Sequence, residues 1–185
     1  MFLYSLLALA VVTALIFAAP LKAKVWATLA VVAAGALWAS ATAVGVLAGG
    51  HTVRLWATDV FLFGSDAGSM DPLSALFALI VSVGAVAAVL YSRGYLAHYL
   101  GRKSPAHISL HYTALATMFY AMLGVVTSEG GFSFLFFWEL MTVASFLLIL
   151  FDAERREVRR AALAYVIMML SLIHISEPTR RTPIS

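Results

Sequence analysis

The sequence predicts an all-α fold, a polytopic bundle of transmembrane helices, and three observations carry that expectation. Of the 185 residues, 63% are hydrophobic and only 11% charged, with a mean hydropathy of +0.96; a soluble domain of this length holds about a quarter charged residues. Apolar runs recur along the chain at about the twenty residues a bilayer crossing needs. Lysine and arginine gather in every second connection between those runs, as membrane topology demands.

Taken in order, a first span covers about residues 2–19 and ends at Pro20. No Lys or Arg precedes it and its apolar stretch is long for the core of a cleavable signal, so it reads as a retained helix. A second span covers about 25–48 and stops at Gly49-Gly50. The third, about 72–92, opens with Asp71-Pro72, an N-cap residue followed by proline in the first turn. The fourth covers about 109–127 and the fifth about 131–151. A sixth begins near Arg160 with AALAYVIMML and is truncated near 170, giving five complete spans and a partial one. The one long connection on the opposite side, 49–70, contains HTVRLWATDVFLF, rich in β-formers and suited to a short strand or hairpin over the helix ends.

Charge sets the orientation. Lys22, Lys24, Arg93, Arg102, Lys103, Arg155, Arg156, Arg159 and Arg160 fall on one side; Arg54 stands alone on the other with Asp59, Asp66, Asp71 and Glu129. The positive-inside rule then puts the N-terminus outside and the arginine-rich connections in the cytoplasm. The net charge of +3 and the pI near 9.4 follow from this asymmetry and do not call for a nucleic-acid partner. With no cysteine, the chain itself holds no disulfide, thiolate-bound cluster or covalently attached haem. None of the five histidines, His51, His98, His107, His111 and His174, forms a mid-span pair, so no cofactor and no metal is expected.

After Leu170 the chain reads SLIHISEPTRRTPIS, which cannot complete a crossing, and a helix stopped halfway leaves backbone groups unsatisfied in lipid. LIHISEPTR resembles translated sequencing adapter. The expectation is one membrane domain over 1–170 and a non-native tail over 171–185, to which no function is assigned.

The fifth span, FSFLFFWELMTVASFLLILF (132–151), carries a single carboxylate, Glu139. A charge at the centre of a span costs about 3 kcal/mol on insertion scales, so such a residue has a partner or a task. It lies about 12 Å along the helix from the span's start, too deep for so short a stem to reach water. Leu135, Phe136, Thr142, Val143 and Phe146 share its face and offer one hydroxyl between them. Three roles stay open on the residues alone: a structural acid, a coupling-ion ligand, or a proton carrier. Lesser candidates for a proton path are Asp71, which helix capping also explains, and Glu129, which a solvated loop also explains. The third is His111, near the start of the fourth span, which titrates near neutrality and also suits a helix anchor. Trp138 beside Glu139 reads as core packing, and DAERREVRR (152–160) as a solvated connector.

DPLSALFALIVSVGAVAAVLYSRGYL (71–96) followed by FLFFWELMTVASFLLILFD (134–152) resembles the antiporter-like membrane subunits shared by respiratory complex I, Mrp-type sodium/proton antiporters and membrane-bound hydrogenases. The wording around WELM, and YSRGYLAHY after span three, is most similar to hydrogenase-4 component B and the formate hydrogenlyase membrane subunit. The resemblance covers about 71–170. It implies proton translocation through paired buried charges, with Glu139 matching a glutamate that pairs with a lysine two helices further on, beyond this chain. It also implies a prokaryotic cytoplasmic membrane, other membrane subunits as partners and a peripheral redox arm. A stand-alone cation/proton antiporter subunit and a structural scaffold are the alternatives.

Overall fold

The computed structural model describes residues 14, 16–20, 23–60, 64–99, 102–152, 154 and 156–175. In chain order these form α1 (Lys24–Gly49), β1 (Val53–Val60), β2 (Gly64–Met70), α2 (Pro72–Ala97), α3 (Pro105–Thr127), α4 (Gly131–Ile149), one 3-10 turn (Leu150–Asp152) and α5 (Arg156–Ile175). Four stretches, Lys24–Gly49, Pro72–Ala97, Pro105–Thr127 and Gly131–Asp152, are long and apolar enough to cross a membrane. The expected first span lies outside the described residues apart from 14 and 16–19.

Several boundaries depart from the expectation for physical reasons. α2 runs through Arg93 to Ala97 because the guanidinium is accommodated over the Trp26 ring, 5.5 Å from its centroid. α3 starts at Pro105, four residues before its apolar stretch, because Ser104 caps it. The backbone of α5 begins at Arg156 and continues to Ile175, past the expected stop near 170; the sequence holds no helix breaker before Pro178. The chain is mostly helical, and within the 49–70 connection the expected strand pairing is present: β1 and β2 are antiparallel, with Val53 opposite Met70 and Ala57 opposite Ala67. β2, GSDAGSM, has little strand propensity of its own and is extended because both sides are paired. β1 lies on one, with the Trp56 ring over Gly68, and Gly68 bridges to Ser128 on the other.

The bundle is built around a seam between α1 and α2. Thr28, Val32, Ala36, Ala39, Ala43 and Val46 are buried on α1, and Ala75, Ala78, Ser82, Val89, Ser92 and Leu96 on α2. They recur in steps of three, four or seven, and the small residues among them let the backbones approach closely, the device that replaces the hydrophobic effect between helices in lipid. Leu37, Trp38 and Val44 on α1 and Phe77, Ile80 and Val83 on α2 point outward, uncovered. α3 closes the seam from one side with Tyr112, Ala116 and Phe119, and the Tyr120 hydroxyl donates to the Val31 carbonyl at 2.8 Å. α4 packs chiefly on α3, with the Phe137 ring against Gly124. α1 ends at Gly50, whose φ of 62° is the left-handed C-cap that glycine takes most readily.

Where β2 passes into α2, the Asp71 carboxylate accepts the Ser74 N–H at 2.6 Å. That bond, with the Ser74 hydroxyl adding to it, holds the Asp71 carboxyl below its ordinary 3.8. Asp71→Ala is expected to lower the stability of the purified protein by about 1 kcal/mol. A depressed folded-state value contributes above the ordinary carboxyl range and is lost as pH falls through the folded value. The difference in melting temperature between wild type and variant should therefore be full at neutral pH and close in acid below 3.8; a difference that widens in acid would contradict this account.

Candidate functional site

The helix that carries Glu139 begins without a cap of its own. Ser128-Glu129-Gly130-Gly131 leads into α4 with Gly130 at the N-cap, and Gly130 has no side chain to offer the free N–H groups of the first turn. The missing acceptor arrives from the hairpin. Asp66 on β2, only 5% exposed, accepts the Ser133 N–H at 2.8 Å through Oδ2. Its Oδ1 accepts the Ser133 hydroxyl at 3.0 Å and the Ala67 N–H at 2.8 Å. A carboxylate at the positive end of the helix dipole is favourably placed. The approach requires glycine at 130, where a β-carbon would collide with the Asp66 carboxylate. Alongside, the Glu129 N–H donates to the Ala67 carbonyl at 2.9 Å. Hairpin and helix start are thus one unit.

Glu139 lies eight residues beyond the start of α4, about 12 Å along its axis. It is half-buried and makes no hydrogen bond or ion pair among the described residues. Its face is fixed by helical periodicity. Phe137 and Ser145 point at α3, toward Gly124 and the Met118 sulfur respectively. At about 100° per residue, Glu139 is turned about 160° from Phe137 and about 120° from Ser145, away from α3. Leu135 and Val143, one turn to either side, are 47% and 51% exposed. Thr142 on the same side is buried, but its hydroxyl is spent on the Trp138 carbonyl at 3.0 Å. Trp138 is half-buried and stacks on Phe134 with ring centroids 5.7 Å apart, rather than sitting in the core. Glu139 is held in place by its helix yet has an open side.

The far end of α4 is held by a cation. Lys103, in the α2–α3 connection, donates to the Phe151 carbonyl at 2.6 Å and pairs with Glu154 at 3.1 Å. Its ammonium lies 5.1 Å from the Phe151 ring centroid and 5.8 Å from that of Tyr99. His111 belongs to the same cluster, its ring 4.8 Å from Phe151 and 6.1 Å from Tyr95. The His111 Nδ1 is buried with no hydrogen-bond partner among the described residues.

The structure therefore spreads the residues singled out in the sequence along the bundle. Asp71 and Glu129 sit at the hairpin end. Glu129 is exposed, on the rim of an open pocket of about 450 Å³ that Arg54, Ser65 and Asp66 also line. Glu139 lies between the two ends and His111 near the other. Phe151 marks the level of His111, twelve residues or about 18 Å beyond Glu139, so no proton passes directly between the two. Among the described residues no three His, Asp or Glu side chains converge as a metal site would require. Asp66 and Lys103 escape sequence reading because their partners are far along the chain. The one available signal is the capless Gly130-Gly131 start, which demands an acceptor from elsewhere.

No family model matches the chain. Just under half of it is similar to membrane-complex subunits of the antiporter-like kind. It is 39% identical over 87 residues to Na(+)/H(+) antiporter subunit A1 of Staphylococcus aureus, covering 47% of this chain and 10% of that protein. It is 35% identical over 88 residues to NAD(P)H-quinone oxidoreductase chain 5 of Picosynechococcus, covering 48% of this chain and 12% of the relative. The chain spans about a tenth of the length of the curated relatives it matches. These relatives support the wider antiporter-like resemblance and do not single out hydrogenase-4.

Two contacts of Lys103 can be ranked by magnitude. Its side chain is 7% exposed while that of Glu154 is 76% exposed, so solvent screens the ion pair and the buried bond to the carbonyl dominates. Lys103→Met is expected to cost about 1.5–3 kcal/mol, as for a hydrogen bond from a charged group. Glu154→Gln is expected to cost under about 0.5 kcal/mol. Thermal unfolding of the two purified variants checks the ranking, and equal losses would refute it.

Proposed function

We propose that the chain is part of an antiporter-like membrane subunit that moves protons through buried charged residues, with Glu139 as the carrier. The observation that carries the reading is the placement of Glu139. It is the only carboxylate within α1 to α4, set between the two ends of its helix on the face turned away from α3. A proton carrier must exchange partners, and Glu139 has an uncommitted carboxylate on an open face. Its counter-charge comes from a helix outside the described residues. When that cation is close Glu139 is ionised, and when it withdraws Glu139 takes up a proton.

In this reading the hairpin end faces outward and the arginine-rich end lies in the cytoplasm of a prokaryote, with the N-terminus outside. The subunit sits beside other membrane subunits and a peripheral redox arm. Service in a hydrogenase-type or quinone oxidoreductase complex rests on the WELM wording and on the quinone oxidoreductase relative. A cation/proton antiporter subunit is the second reading, favoured by the identity to antiporter subunit A1.

The test uses sealed vesicles holding the full-length subunit in its complete complex. Glu139→Gln is expected to abolish coupled proton uptake to below about one-tenth of the wild-type rate at equal assembly, an effect of the size general acid–base groups contribute. Uptake driven by an electron donor supports the redox assignment, and uptake driven only by a sodium gradient supports the antiporter. Undiminished uptake in Glu139→Gln would leave the chain as a structural scaffold.

A further inference from the structure

The Asp66–Ser133 contact does more than complete a helix start. A cap drawn from the adjoining residues travels with its helix; a cap supplied from a distant strand fixes the helix against whatever holds that strand. β2 is held firmly. It pairs with β1, bridges to Ser128, and runs directly into α2, where Asp71 caps the next helix. Two carboxylates five residues apart, one on β2 and one directly after it, therefore cap two different helices, and the strand sets the depth of α4 relative to α2.

The contact also reads register. Asp66 takes two donors from one residue, the Ser133 N–H and the Ser133 hydroxyl. Phe132 and Phe134 on either side have no hydroxyl. A slip of α4 by one residue would give up a bond and bring a phenyl ring against a buried carboxylate. Such a slip would displace Glu139 by about 1.5 Å along the axis and turn it by about 100°. Ser133 lies six residues, about 9 Å, before Glu139 on an uninterrupted helix, so fixing one fixes the other.

We propose that Asp66 is a positioning residue for Glu139, setting the depth and rotation of the carrier carboxylate from outside its own helix; this rests on the proton-carrier reading above. Asp66 acts through geometry, its oxygens accepting from Ser133 and Ala67.

The experiment compares Asp66→Ala, Asp66→Asn and Ser133→Ala in the full-length subunit within its reconstituted complex, with Glu139→Gln as reference. The infrared band of the Glu139 carboxyl is identified as the one missing from Glu139→Gln, and proton transport is measured per assembled complex. Asp66→Ala is expected to shift that band and slow transport on the order of ten-fold, since misplacing a reacting group by about 1 Å costs up to about a hundred-fold. Asp66→Asn, which returns an acceptor oxygen to the Ser133 N–H, restores band and rate most of the way. Ser133→Ala gives a smaller shift in the same direction. A purely stabilising cap would lower assembly or melting temperature without moving the band. Assembled Asp66→Ala complex with band and rate unchanged overturns the proposal; if that variant does not assemble, an unchanged band in Ser133→Ala overturns it equally. Normal pumping by Glu139→Gln sinks the carrier reading instead, and the band still reports whether Asp66 places Glu139.

Discussion

The arrangement of α4 depends on opposite charges brought to its two ends from distant parts of the chain. Asp66 accepts the Ser133 N–H at its start, and Lys103 donates to the Phe151 carbonyl in the turn that follows its end. Each charge has the sign the helix dipole favours at its end. In water such contacts are worth little, but both side chains here are more than nine-tenths buried, where solvent neither competes for the bonds nor screens them. Removing either partner would leave a buried group unsatisfied, which costs more than the bond contributes when formed. The helix with a carboxylate in its interior is thus the one whose ends are most explicitly tied.

This follows from how weakly α4 is otherwise held. α1 and α2 lock together along a seam of small residues over most of their length, and α3 fills the flank of that pair. α4 reaches the bundle mainly through α3, with smaller contacts to α5 and to β2. An apolar helix with one packed side in a lipid environment gains nothing from hydrophobic burial against a neighbour, since lipid tails are equally apolar. Its rotation is set by packing on α3, with Phe137 against Gly124, and the directional bonds at its two ends add to that.

What could be read from the sequence divides along the same line. Four long helices, their approximate limits and the Asp71-Pro72 start are local properties, written in apolar length and capping chemistry over a few residues. Glu139 stands out for the same reason, as one carboxylate in a run of hydrocarbon. The contacts that place it were not legible. Asp66 and Ser133 are 67 residues apart, and Lys103 and Phe151 48. Nothing in GSDAGSM marks it as a strand or as the source of a cap, because its extension comes from partners on both edges. The end of α2 and the start of α3 were missed by a few residues because Arg93 and Ser104 act through Trp26 and the α3 first turn, not through apolarity.

Three carboxylates illustrate how surroundings divide identical chemistry. Asp66 is buried and filled by donors from Ser133 and Ala67. Asp71 is bound to the Ser74 N–H at a helix start. Each is engaged as an acceptor at the start of a helix, α4 for Asp66 and α2 for Asp71. Glu139 has no donor among the described residues and caps nothing. No helix end among the described residues depends on Glu139. A carrier has to be the carboxylate the fold does not need for its own integrity, and within α1 to α4 that description fits Glu139.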